Sequence, residues 1–159
     1  VTLATAFAAA SVVAMYETTI AKWTVLAIFL PIVAGQGGNA GMQTLTVIIR
    51  DLALGELNPG DGRRALIKEL VLGLFTGLAL GLAVGIVGYL WKGSMILGVI
   101  VGSAMILNQL TAALAGVLIP LTLKSLKIDP ALASSIFLTT FTDIGGFFFF
   151  LWLASHALE

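Results

Sequence analysis

Residues 139–151 read Thr-Thr-Phe-Thr-Asp-Ile-Gly-Gly-Phe-Phe-Phe-Phe-Leu, and Asp143 is the one acidic residue within a long apolar run. The run extends from Ala131 to about Ala154 without another charge. As a helix of roughly 24 residues it would be about 36 Å long, enough to cross a bilayer. Asp143 then lies near the membrane midplane. A carboxylate there costs at least about 2.5 kcal/mol and is normally kept for function, facing water or a bundle interior.

The rest of the chain fits a membrane setting. Of 159 residues, 59% are hydrophobic and only 10% charged, and mean hydropathy is +1.09; a soluble domain carries about 25% charged residues. There is no cysteine, which excludes disulfides. A net charge of zero gives no bulk attraction to nucleic acid. The chain starts at Val1 inside an apolar run without a basic leader, and so reads as a fragment of a longer protein. No strand-like alternation appears.

Charge and turn clusters cut the chain into apolar segments, with helices expected over about 1–17, 23–54, 64–91, 95–126 and 130–157. The fold class is therefore all-α, with five transmembrane helices. In the second segment, Pro31 and the glycines at 35, 37, 38 and 41 are expected to loosen the helix and free backbone carbonyls toward a cavity. Asn39, Gln43, Thr46 and Arg50 recur at helical spacing as one polar stripe. The third segment carries glycines at 73, 77, 81 and 85, a small-residue ridge suited to close helix packing, within the subunit or against a partner. Asn108, Gln109 and Thr111 read as groups that bond across helices. Asp129-Pro130 reads as a helix start, with Asp as the cap and Pro at the first position.

Arg50, Arg63, Arg64, Lys68, Lys124 and Lys127 fall on the side of the 2–3 and 4–5 loops, against only Lys22 and Lys92 opposite. That bias puts those loops in the cytoplasm, the N-terminal side cytoplasmic and the C-terminus external. Tyr16, Trp23, Tyr89, Trp91 and Trp152 then form an outer aromatic belt.

Asp143 has hydroxyl-bearing Thr139 and Thr140 one turn before it and no basic residue at comparable depth. A cation compensates such a carboxylate naturally; the bland reading is a protonated Asp bonded to a neighbouring helix. Carboxylate, hydroxyls, amides and carbonyls make an all-oxygen environment that suits a hard cation. Magnesium, which is often held through one or two carboxylates with several waters retained, fits such a site, and calcium, manganese, cobalt, sodium and protons stay open on the residues alone. Glu17 and Glu69, near the span ends, read as solvated or capping charges, and His156 as interfacial. No catalytic triad, phosphate loop or His/Cys cluster supports an enzyme.

The stretch Pro31-Ile-Val-Ala-Gly-Gln-Gly-Gly-Asn-Ala-Gly-Met-Gln43, continued by Arg50-Asp-Leu-Ala-Leu-Gly-Glu56, resembles the signature of the MgtE magnesium channels. Lys68-Glu69, Pro120, Asp129-Pro130-Ala131 and Thr139-Thr140-x-x-Asp143 follow in the same order. The resemblance covers essentially the whole chain as that family's transmembrane domain. It implies a homodimer in a bacterial inner membrane, with the pore at the dimer interface lined by the second and fifth helices. It also implies hydrated Mg2+ held at Asp143 of both subunits. Gly38, Asn39, Gln43, Thr46, Thr139 and Thr140 are the expected pore lining. The cytoplasmic N and CBS domains of that family are not in this sequence. Two other functions stay open on the residues alone: a secondary transporter whose coupling ion sits at Asp143, and a membrane assembly module docking through its glycine ridge.

Overall fold

A computed structural model describes residues 2–57 and 59–158, and every regular element among them is helical. In order these are α1 (Thr2–Met15), α2 (Glu17–Lys22), α3 (Leu26–Ala53), a 3-10 turn (Pro59–Asp61), α4 (Gly62–Lys92), α5 (Met95–Ser125) and α6 (Pro130–Leu158). Three helices, Gly62–Lys92, Met95–Ser125 and Ser134–Leu158, are long and apolar enough to cross a membrane. The short α1 and the more polar α3 are not among them.

Local chemistry sets the helix ends. Gly93 closes α4 in the left-handed region (φ 67°), its N–H donating to the Tyr89 carbonyl, a conformation that favours glycine. Ser94 follows at once as the cap of α5, accepting from the Leu97 N–H at 3.3 Å. The pair makes a tight turn and lays α4 and α5 side by side. At α6, Asp129 Oδ1 accepts from the Ala131 N–H at 2.9 Å and Pro130 is the first helical residue. Tyr16 separates α1 from α2, so the connection expected ahead of Trp23 folds as a short helix of its own.

Helix α3 departs from the expectation of a loosened segment: Leu26–Ala53 is continuous through Pro31 and all of its glycines. Pro31 costs roughly 3 kcal/mol and each glycine about 1 kcal/mol relative to alanine. Packing offsets this. A side chain at Gly37 would collide with the Asn108 carboxamide, and one at Gly41 would lie 2.9 Å from Leu138. The glycines thus let α5 and α6 approach the α3 backbone, and a continuous helix, lacking only the bond that Pro31 cannot donate, is the cheapest state for it in an apolar setting.

The core joins α3, α5 and α6. Phe29 and Val33, Val101, Ala104 and Met105, and Phe150, Leu151 and Ala154 form one buried cluster. Helix α1 leans on α6, and α4 packs mainly on α5. The glycine ridge of α4 lies within the subunit: a Cβ at Gly81 would lie 2.7 Å from the Gly102 carbonyl oxygen, and one at Gly85 2.9 Å from that of Gly98. The outer face of α4 is apolar and open, with Phe75, Leu82 and Leu90 66%, 67% and 73% exposed. A contiguous apolar surface of this kind suits lipid rather than water.

Candidate cation site

Asp143 lies near the middle of α6, about 20 Å along the helix from Pro130. It is half-buried, and it takes part in none of the hydrogen bonds or ion pairs of the described residues. The inward face of α6 is set by its neighbours. Leu138, Thr142 and Gly146 are buried, and Gly146 abuts Asn108 and the Ala34 backbone. Asn108 Nδ2 donates across to the Val33 carbonyl at 2.8 Å, which ties α5 to α3 beside this contact. Asp143, one residue on from Thr142, therefore stands at the edge of the α3–α6 seam.

The hydroxyls nearby have their protons committed. Thr139 Oγ1 donates to the Ser135 carbonyl at 3.0 Å, and Thr140 Oγ1 to the Ile136 carbonyl at 2.7 Å. What each oxygen still offers is lone pairs, so both present acceptors. Gly38 comes to the same seam, a Cβ there lying 3.8 Å from Thr142 Oγ1. Thr46 is exposed and bonds its own helix at the Met42 carbonyl. Arg50 is exposed and pairs with Asp51 at 3.0 Å.

Asn39 and Gln43 are placed elsewhere. They are exposed and line the rim of a cavity of about 470 Å³, open on one side, between α3, α4 and α5, together with Glu69, Thr44 and Gln109. The polar stripe read along α3 is thereby divided: Asn39 and Gln43 line the cavity, whereas Thr46 and Arg50 do not; Gly38, outside the stripe, faces α6. Glu69 corrects an expectation. It is not a solvated end charge but is 7% exposed, and it accepts from Thr44 Oγ1 of α3 at 2.9 Å. It sits two turns inside α4, beyond the reach of a capping position. The signal was available, because Glu69 precedes Gly73 by four residues and so heads the glycine face that packs inward. Of the polar trio on α5, only Asn108 bonds across helices. Thr111 donates to its own helix at Leu107, and Gln109 has both amide atoms buried without a partner. No group of three or more His, Cys, Asp or Glu that could hold a metal ion occurs among the described residues. A cation at Asp143 or Glu69 within one chain would keep most of its water shell.

Residues 30–153, which run from α3 through most of α6 and include both carboxylates, match the MgtE family, described as a divalent cation transporter. The chain belongs to the MgtE family. The magnesium transporter MgtE of Bacillus subtilis is 35% identical over 134 residues, 84% of this chain and 30% of that protein. That of Enterococcus faecalis is 35% identical over 146 residues, 92% of this chain and 32% of its own length. That of Thermus thermophilus is 36% identical over 156 residues, 98% and 34% respectively. The chain thus spans about a third of the length of the curated MgtE relatives it matches.

Proposed function

We propose that this chain is the membrane-spanning pore unit of a magnesium channel in a bacterial cell membrane. Two copies with five membrane helices each form the pore at their interface, and Asp143 of both holds hydrated Mg2+ near the midplane. One observation carries the reading: the half-buried Asp143 carboxylate, far from either end of an apolar helix, without a bond or ion pair to the described residues. Membership of a family of divalent cation transporters supplies the class of ion that fits it.

The chemistry follows from charge and donor type. Two carboxylates at a twofold axis match the charge of a dication. Waters bound to magnesium donate outward, and carboxylate oxygens together with the proton-committed hydroxyls of Thr139 and Thr140 accept. The ion is then recognised through its hydrated size, without the cost of stripping its shell. In this reading Gly38 and Thr46 line the pore with Thr139 and Thr140, and Asn39 and Gln43 line the adjoining cavity toward α4. Helix α3, with 28 residues, has the length to span, and the cavity gives its polar residues Asn39 and Gln43 a place away from lipid. The bias of positive charge supports a cytoplasmic position for the α3–α4 and α5–α6 connections. A membrane potential of 100 mV then favours inward movement of a double charge by about 4.6 kcal/mol.

The native chain has no cysteine, so a single Asp143→Cys substitution tests the arrangement. A magnesium–water distance of about 2 Å and a further hydrogen bond on each side put two carboxylates holding one hydrated ion about 10 Å apart. A thiol cross-linker of that reach should give covalent dimers in Asp143→Cys and not in Phe148→Cys. Equal yields from the two positions would contradict a shared site.

A further inference from the structure

The cavity between α3, α4 and α5 is separate from the site at Asp143, which is not among its lining residues. It is built around a charge. Glu69 is almost fully buried, and its one hydrogen bond among the described residues is from Thr44 at 2.9 Å. A carboxylate accepts about four hydrogen bonds, so most of its capacity is unfilled among the described residues, and Glu69 lines the cavity. A second and independent observation points the same way. Gln109 of α5 is 1% exposed, lines the same space, and has its buried Oε1 and Nε2 without a hydrogen-bond partner among the described residues. Buried amide atoms are seldom unpartnered in native proteins. Asn39 and Gln43 add further carboxamides to the lining.

The space and its chemistry select a class of ligand. Water takes about 30 Å³, so a dication with its six waters needs roughly 200 Å³. That fits within the cavity of about 470 Å³. One carboxylate cannot replace the shell of a hard dication, whereas amide oxygens and a carboxylate accept well from its waters. We propose that this cavity is a second binding site for a hydrated divalent cation, with Glu69 as its anionic wall and Gln109 as a polar contact on α5. It differs from the Asp143 site in that one chain supplies the whole of it. Its stoichiometry is therefore one ion per chain rather than one per pair, and it stands whether or not Asp143 carries the transported ion. Lys68, which also lines the cavity but is exposed, is the competing occupant through its own ammonium group.

Manganese binding to the full chain in lipid nanodiscs, followed by electron paramagnetic resonance, tests this. The Asp143→Asn chain should still bind one Mn2+ per chain, with a spectrum of a fully hydrated ion. Adding Glu69→Gln, which keeps an acceptor for Thr44 and so spares the fold, should weaken that binding at least tenfold. Gln109→Met should weaken it severalfold with the helix content unchanged. An Asp143→Asn chain that binds no manganese would overturn the proposal. So would binding that is indifferent to Glu69→Gln, or binding that appears only after Lys68→Met, which would make the lysine the native occupant.

Discussion

The α4–α5 contact makes a quantitative prediction about alanine substitutions. At Gly81 a Cβ would lie 2.7 Å from the Gly102 carbonyl oxygen and 3.2 Å from Ile106 Cγ1. An ordinary carbon–oxygen contact is about 3.3 Å, so the helices must part by about 0.6 Å along this stretch. A gap of that size forfeits roughly a quarter to a half of each affected dispersion contact. Over some tens of atom pairs worth about 0.1–0.2 kcal/mol each, the loss is about 1–2 kcal/mol. Overpacking strain adds about 1 kcal/mol or more. The better helix propensity of alanine returns about 1 kcal/mol. Gly81→Ala should therefore destabilise the chain by about 1–2 kcal/mol. Gly35, also helical, has nothing within 4 Å of a Cβ, and Gly35→Ala should be neutral or stabilising by up to about 1 kcal/mol. Gly102→Ala should resemble Gly81→Ala, and the double variant should cost less than the sum, because the first substitution has already opened the gap. Reversible unfolding in mixed detergent micelles reads all four. Equal stability of Gly81→Ala and Gly35→Ala would refute the close backbone contact between α4 and α5.

Other substitutions report on single interactions by the same assay. Thr44→Val removes the donor to buried Glu69 and should cost about 1–3 kcal/mol, whereas Thr44→Ser keeps it and should cost much less. Equal effects of the two would show that the bond contributes nothing. Ser94→Ala deletes the cap of α5 and should cost about 1 kcal/mol; a change below a few tenths would mean the cap is not formed. Lys127 holds a left-handed backbone (φ 59°) in the turn after α5. Lys127→Gly should therefore stabilise by about 1 kcal/mol, and a loss of stability would mean its side chain matters more than its backbone.

The helical class was legible because apolar runs of spanning length leave little alternative to a helix. The cap chemistry at Asp129-Pro130 was equally legible, since it depends only on neighbouring residues. What was not legible depends on a partner element. Pro31 and the glycines of α3 weaken a helix in isolation, but here Asn108 and Leu138 press against Gly37 and Gly41, and the helix stays whole. That removes freed α3 carbonyls as cation ligands from the case for a channel and for a coupled transporter alike. The ridge at Gly73–Gly85 showed that something packs closely, but not that it is α5. Glu69 was misplaced because its position was judged by distance from the helix end rather than by the face it shares with Gly73. Asn39 and Gln43 share helical spacing with Thr46 and Arg50, yet the spacing did not reveal that α4 and α5 wall an open cavity beside the first two.

The central claim is that Asp143 lines a passive path for magnesium. Liposomes holding the chain, with a fixed membrane potential and no other ion gradient, measure it directly. The wild-type chain should admit magnesium at a rate set by the magnesium gradient and the potential, and Asp143→Asn should reduce that flux at least tenfold with the protein still folded. Flux that survives Asp143→Asn, or that appears only when a proton or sodium gradient is imposed, would contradict the claim.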